Sequence, residues 1–182
     1  MLLKRHTRVV TAAAFSPNND LLASGSHDNT VVLWWVLTGK VIQQLEGHVD
    51  GITAVAFSPD STFVASAADD KTVRLWRIDG GECIHVIHIG NTTSQLRFEP
   101  SGALLHTDVG AISIDHASSI AGRSGYGISE DRCWITWQGK KVLWLPASYR
   151  PRLSAVARST VAIRNRSGRM LMMKLAVEEL LN

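Results

Sequence analysis

Sliding the 182-residue chain past itself by 42 positions lays His6 on His48, Phe15-Ser16-Pro17 on Phe57-Ser58-Pro59, Ser24 on Ser66, Asp28 on Asp70, Thr30-Val31 on Thr72-Val73 and Trp34 on Trp76. A true repeat of this length restricts the fold more than composition does, because each unit must bury its apolar face against a neighbouring copy. The second copy, Gly47 to Trp76, is the clearer one. Ile52 to Phe57 alternates as a half-buried strand does, and Ser58-Pro59-Asp60-Ser61 turns the chain, because Pro fixes φ and Asp can bond its own downstream backbone. Phe63 to Ala67 supplies a second strand, Asp69-Asp70-Lys71 a second turn, and Thr72 to Trp76 a third strand.

A period of roughly 40 to 45 residues, short strands and a Gly-His to Trp signature mark a propeller blade. Residues 5–88 resemble two WD40 repeats on these motifs, although the name-giving dipeptide is missing: Trp35 follows Trp34, Arg77 follows Trp76, and Arg5 stands where Gly47 stands in the next copy. The resemblance implies an all-β, WD40-like β-propeller. The expected units are 5–46, 47–88, 89–115, 124–146 and 152–175, with a short tail at 176–182 in which Ala176 to Leu181 suits a terminal helix. The later units are degenerate. Such a chain gives about four to five blades, whereas WD40-like propellers usually close with about seven within a general range of 4–8, so the expected structure is a partial ring or arc.

Thr38-Gly39-Lys40 turns into Val41 to Leu45, and Asp79 to Glu82 turns into Cys83 to Ile87. By the WD40 order, each of these trailing strands is expected at the outer edge of the next blade. Residues 116–125, Gly- and Ser-rich, read as a loop between units. Beyond them, Trp134-Ile135-Thr136-Trp137, Val142-Leu143-Trp144-Leu145 and the segments to Gly168-Arg169 resemble the C-terminal end of fungal NACHT–WD40 receptor proteins, the family linked to vegetative incompatibility. That likeness implies that a nucleotide-binding module precedes a ligand-sensing propeller. No phosphate loop of the G-x-x-x-x-G-K-[ST] type occurs in this sequence, so the chain reads as the sensor's tail.

Composition agrees with a packed globular domain: 45% of residues are hydrophobic and 19% charged, with a formal net charge of +3. The basic residues are scattered, which permits nucleic acid without arguing for it. Cys83 and Cys133 have neither metal spacing nor a framework of partners, so a reducing, cytoplasmic setting is expected. Lys4, Arg5 and Arg8 ahead of the apolar run Val9 to Phe15 superficially suggest a secretory signal, but the same register in the next unit is an ordinary strand.

His48, Ser66, Asp70 and Trp76, with the parallel set His6, Ser24, Asp28 and Trp34, contain the residue types of a hydrolase triad. Two copies argue against catalysis, since a triad is recognised by geometry and a catalytic site is normally single. The WD40 resemblance implies instead a structural chain from indole N–H through hydroxyl and imidazole to carboxylate. Gly122 to Gly127 narrowly misses the nucleophile elbow, because Tyr126 stands where its second Gly belongs, and reads as a connector. Cys83 and His85 share a strand face while His88 points away, so no metal is expected, and no cofactor.

The resulting expectation is a non-enzymatic interaction scaffold or ligand-sensing module that binds protein partners. By the WD40 resemblance, His27, Asn29, Asp50, Gly51, Asp69 and Lys71 are candidate contacts on one face of the blades. Arg164, Arg166 and Arg169, near Arg150 and Arg152, form the only local basic concentration. Among the six Trp, Trp34 and Trp76 are expected in the core, while Trp35, Trp134, Trp137 and Trp144 are candidates for contact because aromatic side chains anchor interfaces. The competing expectations are a truncated product without autonomous function and a nucleic-acid-binding propeller. Unpaired strand edges on an open arc would favour self-association.

Overall fold

The computed structural model describes residues 2–114, 123–129, 131–137, 140–151, 153–157, 160–165 and 168–175. The terminal segment 176–182, where a helix was expected, and Arg166 lie outside the described residues. The described structure is antiparallel β throughout, with one 3-10 turn at Ala147–Tyr149. It divides into two compact units, Met1–Ala103 and Leu104–Asn182.

In the first unit, β1 (Val10–Phe15), β2 (Leu21–Ser26), β3 (Val31–Trp35) and β4 (Val41–Leu45) form one sheet in sequence order. Strands β5 (Ile52–Phe57), β6 (Phe63–Ala68), β7 (Thr72–Arg77) and β8 (Cys83–His88) form a second in the same order, and the short β9 (Leu96–Phe98) lies beside β5. The trailing strands therefore complete their own sheets and not the next one, which corrects the expected interlocking. The hairpin loops decide this. Trp35 and Lys40 are joined by a backbone hydrogen bond of 2.9 Å and Arg77 and Glu82 by another of 2.9 Å, and loops this short connect only antiparallel neighbours.

Each sheet has two faces set by alternation. On the first, Leu21, Ala23 and Leu33 point toward the second sheet and pack with Val55, Phe57, Val64 and Trp76 in one buried cluster. Gly25 permits that approach, because a Cβ there would stand 2.3 Å from Ile52 Cγ2. Two hydroxyls then tie neighbouring elements together: Thr11 donates to Ile52 O at 2.5 Å and Thr53 donates to Thr93 O at 2.5 Å.

In the second unit, β10 (Leu104–Thr107), β11 (Gly110–Ser113), β12 (Arg123–Ile128), β13 (Trp134–Trp137) and β14 (Lys140–Trp144) follow one another in a single sheet. Strands β10 and β11 of the expected third unit thus share a sheet with the strands of the expected fourth. Residues 123–125, expected as loop or connector, are strand, because β12 pairs with both neighbours through Gly110↔Gly127 and Tyr126↔Trp137. Gly127 allows this pairing, since a Cβ would approach Val109 O to 2.7 Å. Strands β15 (Leu153–Ala157), β16 (Thr160–Arg164) and β17 (Met170–Lys174) form the last sheet. Its Val156, Val161 and Ile163 pack with Ile128, Ile135 and Leu145.

One turn recurs three times. Ser16, Ser58 and Ser129 each accept, through the side-chain hydroxyl oxygen, the backbone N–H five residues on, at 2.9 Å in all three cases. Asn19, Ser61 and Arg132 occupy the same left-handed position in these turns, at φ 61°, 58° and 56°. The degenerate second unit has kept the turn of the first.

Candidate functional site

The two parallel sets of His, Ser, Asp and Trp are hydrogen-bonded chains. Trp76 Nε1–H donates to Ser66 Oγ at 2.8 Å, Ser66 lies 2.8 Å from His48 Nε2, and His48 Nδ1 lies 2.7 Å from Asp70 Oδ2. The first sheet repeats the series at 2.8, 2.7 and 3.0 Å through Trp34, Ser24, His6 and Asp28. A neutral imidazole satisfies every link: Ser donates to Nε2, and Nδ1–H donates to the carboxylate. Burial lowers the His48 pKa, opposed by the hydrogen bond and charge of Asp70, and this favours the same neutral form.

The carboxylates are held down from several sides. Burial raises Asp28, but the Thr30 hydroxyl, the Thr7 backbone N–H and His6 outweigh it and bring its pKa to about 2. Asp70 is lowered in the same manner, with burial opposed by the Thr72 hydroxyl and His48. Thr30 and Thr72, each 2.7 Å from its Asp, are members of the network that residue-type matching overlooked. Their 42-residue spacing carried the signal.

The serines in these chains are poorly suited to attack a substrate. Ser66 is fully buried and Ser24 is 7% exposed, and each hydroxyl is already engaged by an indole and an imidazole. Their evident physical effect is to fix three strands and a preceding loop in one arrangement.

That arrangement places a group of loops. His27 and Asn29 stand in the turn between β2 and β3, Asp69 and Lys71 in the turn between β6 and β7, and Asp50 in the segment before β5. His27 N bonds to Val9 O and Asp69 N bonds to Gly51 O, both at 2.9 Å, and Gly51 is buried against His27, leaving no room for a Cβ. His27, Asp50, Asp69 and Lys71 are exposed, and Asn29 is half-buried. Asn29 and Lys71 hold the same left-handed conformation, at φ 69° and 63°, so the two sheets present their tips in register.

Arg164 and Arg169 lie in the other unit and are exposed. Arg169 borders a cavity of about 390 Å³ with Tyr149, Ile163, Asn165, Met170 and Leu171. Tyr149 and Met170 had not been singled out, and no spacing in the sequence connects the 3-10 turn to the last hairpin. Trp34 and Trp76 are 3% and 2% exposed, while Trp35 and Trp144 stand in solvent. Trp134 is half-buried beneath Lys141, whose Nζ is 5.6 Å from the ring centroid; the side chain of Trp137 lies outside the described residues. Among the described residues no group of three His, Cys, Asp or Glu is placed to hold a metal.

Residues 1–34 and 39–77 match the family model of the WD domain, G-beta repeat. Those two stretches are WD40 repeats. Among curated relatives it is similar to the vegetative incompatibility protein HET-E-1 of Podospora anserina, with 34% identity over 47% of this chain and 7% of that protein. It is also similar to eukaryotic translation initiation factor 3 subunit I of Aspergillus terreus, with 33% identity over 58% of this chain and 31% of the other. The chain thus spans less than a third of the length of either relative. The computationally designed Ika4 protein, a solved structure, shares the fold with a TM-score of 0.62 and 22% identity over 96% of each chain. The WD40 matches cover the first two sheets apart from Trp35 and β8, and both hydrogen-bonded chains lie within them. No helix among the described residues is long and apolar enough to cross a membrane.

Proposed function

We propose that this chain is a non-enzymatic WD40 module that binds protein partners through loops held by its two Asp–His–Ser–Trp networks. The observation that supports this is the duplication itself. Two sheets 42 residues apart lock the same atoms into the same hydrogen bonds, and both use them to fix a loop tip while leaving the serine inaccessible. WD40 repeat proteins act as protein-interaction scaffolds, and the exposed His27, Asp50, Asp69 and Lys71 offer mixed charge and hydrogen-bonding capacity on rigid supports. The similarity to HET-E-1 and to the C-terminal end of NACHT–WD40 proteins supports a place in the sensing part of a larger, cytoplasmic signalling protein. Arg164, Arg166 and Arg169 are a second candidate contact, with the cavity beside Arg169 suited to an apolar side chain next to an acidic group.

The test is affinity capture from a cytosolic extract with the wild-type chain and with a His27→Ala/Asp69→Ala/Lys71→Ala variant. Specific proteins retained by the first and lost by the second, at equal thermal stability, are the expected result. Equal capture by both overturns the assignment of these loops. Binding of nucleic acid that weakens steeply with salt would replace the protein-partner reading.

A further inference from the structure

The repeat shows which surfaces of the chain are built to be covered. Counting back 42 positions from Ile52, Val55, Phe57 and Val64 gives Val10, Ala13, Phe15 and Leu22. The second-sheet residues are 0%, 8%, 8% and 0% exposed, because the opposite face of the preceding sheet lies on them. In the first sheet Val10 and Phe15 are 51% and 60% exposed, Ala13 is exposed as well, and Leu22 is half-buried. Register places Phe15 opposite Leu22, and Leu22 opposite Trp34, in one cross-strand row. It matches the buried row of Phe57, Val64 and Trp76.

What covers such a row inside the chain is the other face of a sheet of the same kind, formed by Leu21, Ala23 and Leu33. The described residues of the last sheet include such a face. Val161, Ile163, Leu171 and Met173 turn toward the sheet before it, so alternation directs Ala162, Met170 and Met172 the opposite way, with Ala162 paired to Met172. Met170 and Met172 are 70% and 69% exposed. Methionine is flexible enough to fill an irregular apolar gap.

We infer that two or more copies of this chain associate head to tail, the Val10–Phe15–Leu22 face of one receiving the Ala162–Met170–Met172 face of another. The contact extends the sheet-on-sheet packing already present between the first two sheets. Because it joins different faces, it is heterologous, and it produces a closed ring or an open string according to the angle between copies. The inference rests on the WD40 architecture and not on the identity of an outside partner.

Light scattering and sedimentation on the full chain, over a concentration series, test it with Phe15→Glu and Met172→Glu. The wild type is expected to reach at least twice the single-chain mass of 19.9 kDa. Each variant alone is expected to remain a single chain, while an equimolar mixture forms a one-to-one pair, since one variant keeps its tail face and the other its head face. A wild type that stays monomeric overturns the inference. So does self-association that one variant abolishes and the other leaves intact, which would indicate a contact between like faces. Circular dichroism and thermal unfolding verify folding, and Val10→Glu and Met170→Glu replace any variant that fails this check. Partner capture by monomeric Phe15→Glu separates the two readings: its persistence leaves the loop assignment standing whichever way the mass measurement falls.

Discussion

At the scale of the residue, Ser66 is the joint on which the second network turns. Replacing it with Ala leaves a buried indole N–H and a buried imidazole nitrogen without their partner, and each such orphan costs about 1–3 kcal/mol. Ser66→Ala is therefore expected to lower unfolding stability by at least about 2 kcal/mol in urea titration. Ser24→Ala should cost less, because the side chains of His6 and Asp28 are 5% and 10% exposed against 1% and 4% for His48 and Asp70, and water can replace part of what is lost. Acidification acts on the same atoms. An imidazole whose folded pKa lies below its unfolded value binds fewer protons folded than unfolded, so the His48 contribution is complete above 6.5 and declines as pH falls below it. The Asp28 contribution is present above 3.8 and is lost as pH falls toward about 2. Urea midpoints measured across this range should therefore drop in two stages, the first near-neutral and the second strongly acidic.

At the scale of the element, hairpins that read easily in the sequence stand beside pairings that do not. Strands β1–β3 and β5–β7 were legible because apolar alternation and Ser-Pro turns recur in both copies. The membership of β4 was misread because a family order was preferred to loop length. The first half of β12 was missed because Arg123-Ser124-Gly125 has no apolar alternation; it is strand because β11 supplies its hydrogen bonds. In the candidate site, the His, Ser, Asp and Trp members were visible as residue types at a shared spacing. Thr30 and Thr72 share that spacing, but it does not reveal that they bond their Asp through a two-residue local bend, and the Arg169 cavity, built from distant segments, leaves no spacing to read. The hydroxyls of Thr11 and Thr53 were equally silent, although each connects elements about 40 residues apart. Thr11→Val keeps the shape and deletes the bond to Ile52 O, and should lower stability by about 1 kcal/mol with an unchanged urea dependence.

At the scale of the whole molecule, each of the two units is held by sheets packed through apolar faces, without covalent cross-links among the described residues. Cys83 and Cys133 are free thiols, so the thermal midpoint should be the same with and without reductant; a fall on reduction would reveal a link between chains or within one. The acceptor in each threonine tie is a main-chain carbonyl, which every amino acid provides. A sheet therefore asks its successor for backbone position and not for any particular side chain at that point. Stretches of 42 residues can then be duplicated, lost or exchanged during evolution with the seam re-forming each time, while the exposed tips diverge to meet new targets.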